Sequence, residues 1–156
     1  MKRLTALILA GALLLLPACA GQKGGNAAGA DLGALAEQLL ESQLFEETLN
    51  PVEEEMAEKL YSITGASSAL LYVGSGASAD ELALFEFEDE ETAQDAAELA
   101  RARVADQRES FAGYIPEEVP KLDAAVVKSF GRCLVVCVSA GDGAEEIISD
   151  FFEQEG

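Results

Sequence analysis

Apolar residues recur along this chain with two different periods. Leu32, Leu35, Ala36, Leu39, Leu40 and Leu44 fall at helical spacing, which predicts an amphipathic helix with Asp31 as its N-cap. Asn50–Pro51 opens a second segment, in which Val52, Met56 and Leu60 lie one helical turn apart. A short helix ending near Tyr61 is expected there. Leu70–Val73 then reads as a strand. From Glu81 to Glu88 the period changes to two, with Ala83, Phe85 and Phe87 alternating against Leu82, Leu84, Glu86 and Glu88, the mark of a second strand. A long helix follows, about Glu91 to Phe111, with Ala93, Ala96, Ala97, Ala100 and Val104 as its inner stripe. Those residues are small, so the helix can approach a sheet closely. Asp89 or Thr92 could cap its start.

"YIPEEVP", Tyr114 to Pro120, breaks the chain with two prolines. Leu122–Phe130 and Arg132–Val138 read as two strands joined near Gly131. Ala144, Ile147, Ile148, Phe151 and Phe152 give a terminal helix. Two helices followed by two ββα units predict a small α+β domain. Its sheet would be four-stranded and mainly antiparallel, since the strands come in hairpins rather than singly. Strands 82–87 and 132–138 are apolar on both faces. They should be central, with helices on both sides of the sheet or a covered second face.

"GSGASA", Gly74 to Ala79, fits the G-x-G-x-x-A form of a dinucleotide-binding loop. Such a loop must feed a helix, whose N-terminus holds the pyrophosphate. Here it runs into the alternating pattern of a strand, so these glycines are expected to form a hairpin turn. The region where a ribose-binding acid would lie reads as helix.

The first residues change the picture of where the domain works. Lys2 and Arg3 precede the apolar run Leu4–Leu16. That run is short of the roughly 20 residues a membrane-spanning helix needs, so residues 1–18 are read as a secretory signal outside the fold. "LPAC", Leu16 to Cys19, resembles a lipobox, although proline at its second position departs from the commoner Ala or Ser. The resemblance implies thioether-linked diacylglycerol on Cys19, the new N-terminus; lipid attachment there requires a thiol. A plain secretory signal cleaved nearby, or an uncleaved anchor, is the competing reading. Residues 19–30, rich in Gly and Ala, would be the lipidated terminus and a flexible tether, and 31–156 a single domain.

With 29 Asp and Glu against 10 Lys and Arg the formal charge is −19. Such a chain repels nucleic acid and anionic head groups. Membrane association would therefore come from the lipid at Cys19. "EDEE" (Glu88–Glu91) and "EEE" (Glu53–Glu55) lack the spacing of a calcium loop and read as solvated helix starts and faces.

Three stretches carry a family resemblance: "SALLYVGSGASADELALFEFED", "QRESFAGYIPEEVPKLDAAVV" and "GRCLVVCVSAGD". Ala79-Asp80-Glu81 opening the second strand, Tyr114 with Pro116 after the long helix, and Gly131 before the last strand resemble a bacterial lipoprotein family known as domain of unknown function 4358. The likeness covers roughly Leu35 to Phe152. It implies an envelope lipoprotein of Gram-positive type and transfers no catalytic residue. Cys133 and Cys137 stand where the family more often has aliphatic or aromatic residues.

The chemistry on offer is narrow. No histidine is present, which removes Ser-His-Asp and Cys-His catalysis and histidine-ligated zinc; S-x-x-K is also absent. Asp80 and Glu81 are the best candidates for carboxylate-based glycan hydrolysis, but adjacent strand residues point to opposite faces, and Asp80 reads as a turn residue. Cys133 and Cys137 would share one face with Cα atoms roughly 13 Å apart, too far for a disulfide. They read as small buried hydrophobes. Phe111, Tyr114, Ile115 and Pro116 invite a ligand platform. The simpler reading has Phe111 ending the helix stripe and Tyr114 packing over the sheet edge with its hydroxyl in water. The sequence thus predicts a lipid-anchored, non-catalytic binding or scaffold module of the cell envelope, without cofactor or metal, meeting an envelope protein or cell-wall component. A carboxylate-dependent cell-wall hydrolase is the alternative.

Overall fold

A computed structural model describes residues 29–155. Its elements are α1 (Leu32–Glu41), β1 (Asn50–Val52), α2 (Glu54–Tyr61), β2 (Ser68–Val73), β3 (Glu81–Glu86), α3 (Glu90–Tyr114), a 3-10 turn (Pro116–Glu118), α4 (Val119–Asp123), β4 (Val126–Phe130), β5 (Cys133–Val138) and α5 (Ala144–Glu155). The five strands form one antiparallel sheet in the order β1-β2-β3-β5-β4.

The two strands that read as apolar on both faces are the inner ones. β3 and β5 pair in full register, from Glu81 opposite Val138 to Glu86 opposite Cys133. Alternate residues divide between two cores. Ala83, Phe85, Leu134, Val136 and Val138 pack under α2 and α3. Leu82, Leu84, Cys133, Val135 and Cys137 pack under α1 and α5. The domain is therefore three layers, helix on sheet on helix. The alanine stripe of α3 is buried as expected. On the other side Leu32, Leu35, Ala36 and Leu39 of α1 sit beside Ile148 and Phe152 of α5. Phe152 stacks on Phe130 with ring centroids 4.3 Å apart.

The helix starts follow from their caps. Asp31 accepts the Ala34 amide at 3.0 Å, and Asp89 accepts the Thr92 amide at 2.8 Å, a bond that lowers the Asp89 pKa. Both sheet edges are blunted. Pro51 in β1 has no amide to offer, and Arg101 donates from α3 to the Val127 carbonyl of β4 at 3.3 Å.

Several details differ from the sequence expectation. α1 ends at Glu41, so Leu44 lies in the connection after it and not on the helix. The sheet has five strands rather than four, because Asn50–Val52 adds to β2 as an edge strand before α2 begins; a three-residue strand holding a proline leaves almost no alternating pattern. In α2 the buried residues are Ala57 and Tyr61, while Met56 and Leu60 are exposed. The packed face thus lies one residue away from the expected stripe. Leu122 belongs to α4 and not to β4, since Pro120 sits in the first turn of that short helix. Tyr114 closes α3 and is 72% exposed. It covers no sheet edge, whereas Phe111 does pack against the core.

Cys133 and Cys137 are free and buried on the same face. Burial pushes their thiols up, to about 11 for Cys133 and about 12 for Cys137. Native protein should therefore resist alkylation at both, and denatured protein should react at both. Cys→Ser at either position should destabilise by about 1–3 kcal/mol in chemical denaturation, because a hydroxyl replaces sulfur in an apolar core. Cys→Ala should cost less than the about 2–5 kcal/mol of a buried Leu→Ala truncation.

Candidate functional site

Five segments meet at one end of the sheet: the α1–β1 connection (residues 43–49), the glycine turn Gly74–Asp80, the start of β3, the 3-10 turn with α4, and the loop after β5 (residues 139–143). The glycine turn is the hairpin loop expected, joining antiparallel β2 and β3. Gly76 has φ +86°, a conformation that glycine adopts without strain. At Gly74 the Glu47 carboxylate comes so close that a Cβ would stand 2.3 Å from its Oε1, so a side chain there would displace that carboxylate. Glu47 accepts the Ser75 amide at 2.7 Å. The turn thus does cradle an anion, but a carboxylate from its own chain.

Where this turn enters β3 two consecutive carboxylates are buried, Asp80 at 1% and Glu81 at 3% exposure. Each faces a different side of the sheet and meets a different cation. Glu81 lies under α3, where Arg103 donates to Oε1 at 3.2 Å and Oε2 at 2.7 Å. Gln107 also reaches Oε2, and the Tyr61 hydroxyl donates to Oε1. The Arg103 guanidinium lies 4.7 Å from the Tyr61 ring centroid. Burial, and then the Glu81 charge, raise the Tyr61 pKa well above its ordinary value. Burial acts against the Arg103 cation, yet the hydrogen bonds and charge of Glu81 raise its pKa.

Asp80 turns the other way. Its Oδ2 accepts the Glu46 amide at 2.8 Å. Its Oδ1 lies 3.1 Å from Lys121 Nζ, a contact of charge rather than a directed hydrogen bond. Lys121 is only 7% exposed, and its ammonium also meets Glu46 Oε2 at 2.7 Å, Glu118 Oε2 at 2.8 Å and Ser78 Oγ at 3.1 Å. Glu118 Oε2 accepts the Ala79 amide at 2.7 Å as well. Burial opposes the Lys121 charge, but hydrogen bonds to Glu118 and Glu46 and the charge of Asp80 outweigh it and raise the pKa. Burial likewise opposes ionisation of Glu118, and the Lys121 and Ala79 bonds reverse that and lower its pKa. Lys121 is therefore a fixed cation, poorly suited to act as a base or nucleophile.

Beside this cluster lies a cleft of about 380 Å³, lined by Lys121, Glu46, Glu117, Cys137 and the 139–145 segment. A second, also about 380 Å³, runs between α2 and α3 past Leu60, Leu99, Arg103 and Phe111. Neither Asp80 nor Glu81 lines either of these clefts. Among the described residues no group of three Cys, Asp or Glu side chains could hold a metal ion, and no helix is long and apolar enough to cross a membrane. Cys19 lies outside the described residues.

Lys121, Glu118, Glu46, Arg103 and Tyr61 do not stand out in the sequence. Their signal is faint: Glu118 and Lys121 stand three apart, the spacing of a helical ion pair. Each further partner comes from a distant segment.

What fold and site define is a three-layer α+β domain whose loop end is held by two buried ion clusters. The chain matches, over residues 42–139, the family described as Domain of unknown function (DUF4358), and it belongs to that family. No curated protein and no solved structure matches it. The matched stretch holds all five strands and both ion clusters; α1 and α5 fall outside it.

Replacing Lys121 by Met should lower stability by about 3 kcal/mol in urea unfolding. That is the lower end for breaking a buried pair, because Glu46 keeps contact with water. The acid limb can be signed from Glu118. Its carboxyl is held below the usual 4.5, so its stabilisation is complete above that value and is lost as pH falls through the lowered folded one. Between pH 5 and pH 3 the melting temperature should fall, and Glu118→Gln should make the fall shallower.

Proposed function

We propose that this protein is an envelope lipoprotein, anchored on the extracytoplasmic face through lipid on Cys19, whose folded domain is a non-catalytic binding or scaffold module. The reading of its address rests on the basic start, the short apolar run, the lipobox-like Leu16–Cys19 and the Gly/Ala-rich tether. The single observation that carries the non-catalytic reading is the commitment of Asp80 and Glu81 to separate cations on opposite faces of the sheet. Glycan hydrolysis by carboxylates needs two such groups flanking one bond, about 5–9.5 Å apart across a shared site. The partner is an envelope protein or a cell-wall component, and no cofactor is called for.

Two measurements test this. Cells grown with a fatty-acid analogue should label the wild type and leave Cys19→Ala unlabelled; equal labelling would remove the anchor from the account. Incubation of the purified protein with peptidoglycan should release no fragments. Soluble products that disappear in Asp80→Asn or Glu81→Gln would establish the hydrolase instead.

A further inference from the structure

The connection between α1 and β1 is seated at Leu44 and Leu49, with Phe45 partly buried against the same core, and is otherwise held by charge. Leu44 and Leu49 are both buried. The Leu44 carbonyl accepts the Gly141 amide at 3.0 Å, and the contact is so close that a Cβ on Gly141 would stand 3.0 Å from Leu44 Cα. Just before it, Gln43 has φ +61°, a left-handed conformation that costs a residue with a side chain. Between these fixed points run Phe45, Glu46, Glu47 and Thr48.

The polar holds on that tip all lead to the glycine turn or to the Lys121 cluster. The Glu46 amide donates to Asp80, the Glu46 carboxylate accepts from Lys121, and the Glu47 carboxylate accepts from the Ser75 amide and hydroxyl. Lys121 has three protons to give and four oxygens within 3.1 Å. Of its carboxylate partners, Glu46 is the most exposed, at 63%. Its bond is the one that water and ions can reach, while Asp80 and Glu118 stay enclosed. The tip also borders open space on both sides. Glu46 lines the cleft that reaches Lys121 and Cys137, and Phe45–Leu49 line another, of about 540 Å³.

We infer that Phe45–Thr48 is a flap that swings on Leu44 and Leu49 over the cleft at Lys121, with the Lys121–Glu46 ion pair as its latch. Opening breaks the bonds made by the Glu46 and Glu47 carboxylates and the Glu46 amide bond to buried Asp80, lifts Phe45 from the core edge, and leaves the two leucines seated. It is a local event, well below global unfolding in free energy. It widens the cleft that Glu46 and Cys137 both line. Cys133 lies four residues along β5, beside the far hairpin where Phe130 pairs with it, and remains covered.

The two thiols therefore report on the flap separately. The full-length protein is treated with iodoacetamide under native conditions, and modification of each cysteine is followed by peptide mass spectrometry. In Glu46→Ala/Glu47→Ala, which removes both carboxylate holds and no buried side chain and leaves the Glu46 amide bond to Asp80, Cys137 should react about tenfold faster or more than in the wild type, as expected when a local opening is favoured. Cys133 should keep its wild-type rate. Lys121→Met, if it folds, should raise the Cys137 rate more than the Cys133 rate, whose own rise reports the loss of global stability. An unchanged Cys137 rate in the double variant would overturn the flap. So would an equal rise at both cysteines, which marks global opening instead.

Discussion

Two neighbouring carboxylates, Asp80 and Glu81, are buried at the head of the central strand, and the loop end of the molecule depends on how their charges are compensated. An ionised carboxyl out of water is costly without a cation and hydrogen bonds. Adjacent strand positions point to opposite faces, so one cation could not serve both. Arg103 from α3 serves Glu81, and Lys121 from α4 serves Asp80. Each clamp draws in whatever else its cation must satisfy: Tyr61 and Gln107 on one face, Glu46, Glu118 and Ser78 on the other. Segments far apart in sequence are thereby tied to the first residues of β3.

The same arrangement explains how a chain of formal charge −19 can still close its core. Two of its few bases, Arg103 and Lys121, are placed where the acids are least solvated. The Arg108–Asp123 pair on the surface adds little by comparison, since exposed pairs are screened. The remaining acids sit at helix starts and outer faces, as at Glu90–Glu91 and Glu145–Glu146, where they meet the positive ends of helix dipoles.

Much of this architecture is legible in the sequence. The double-sided apolar runs at 82–87 and 132–138 identify the inner strands, the alanine stripe identifies the packed face of α3, and the strand after Gly74–Ala79 identifies a hairpin. Weaker periodicities mislead. Met56 and Leu60 form an apolar stripe that the fold leaves outside, because the helix is short and its burial is decided by Tyr61 reaching Glu81. Pro51 hides the edge strand. The ion clusters are illegible for a different reason. A salt bridge leaves a periodic trace only within one element, and Lys121 reaches Glu46 across 75 residues. Asp80 and Glu81 can be noted as adjacent acids on opposite faces, but their burial depends on helices whose docking the local pattern does not encode. The family match spans both ion clusters. The Ala79-Asp80-Glu81 resemblance therefore falls on residues that secure the loop end, since Ala79 offers its amide to Glu118 and the two acids receive the cations.

The central claim, that each buried acid is held by its own cation, is tested most directly by double-mutant cycles. Asp80→Asn with Lys121→Met, and Glu81→Gln with Arg103→Met, would be measured by urea unfolding alongside the crossed pairs Asp80 with Arg103 and Glu81 with Lys121. The account predicts coupling of about 1–3 kcal/mol within each matched pair and less than about 0.5 kcal/mol for the crossed pairs. Coupling near zero within the matched pairs, or of equal size in the crossed ones, would contradict it.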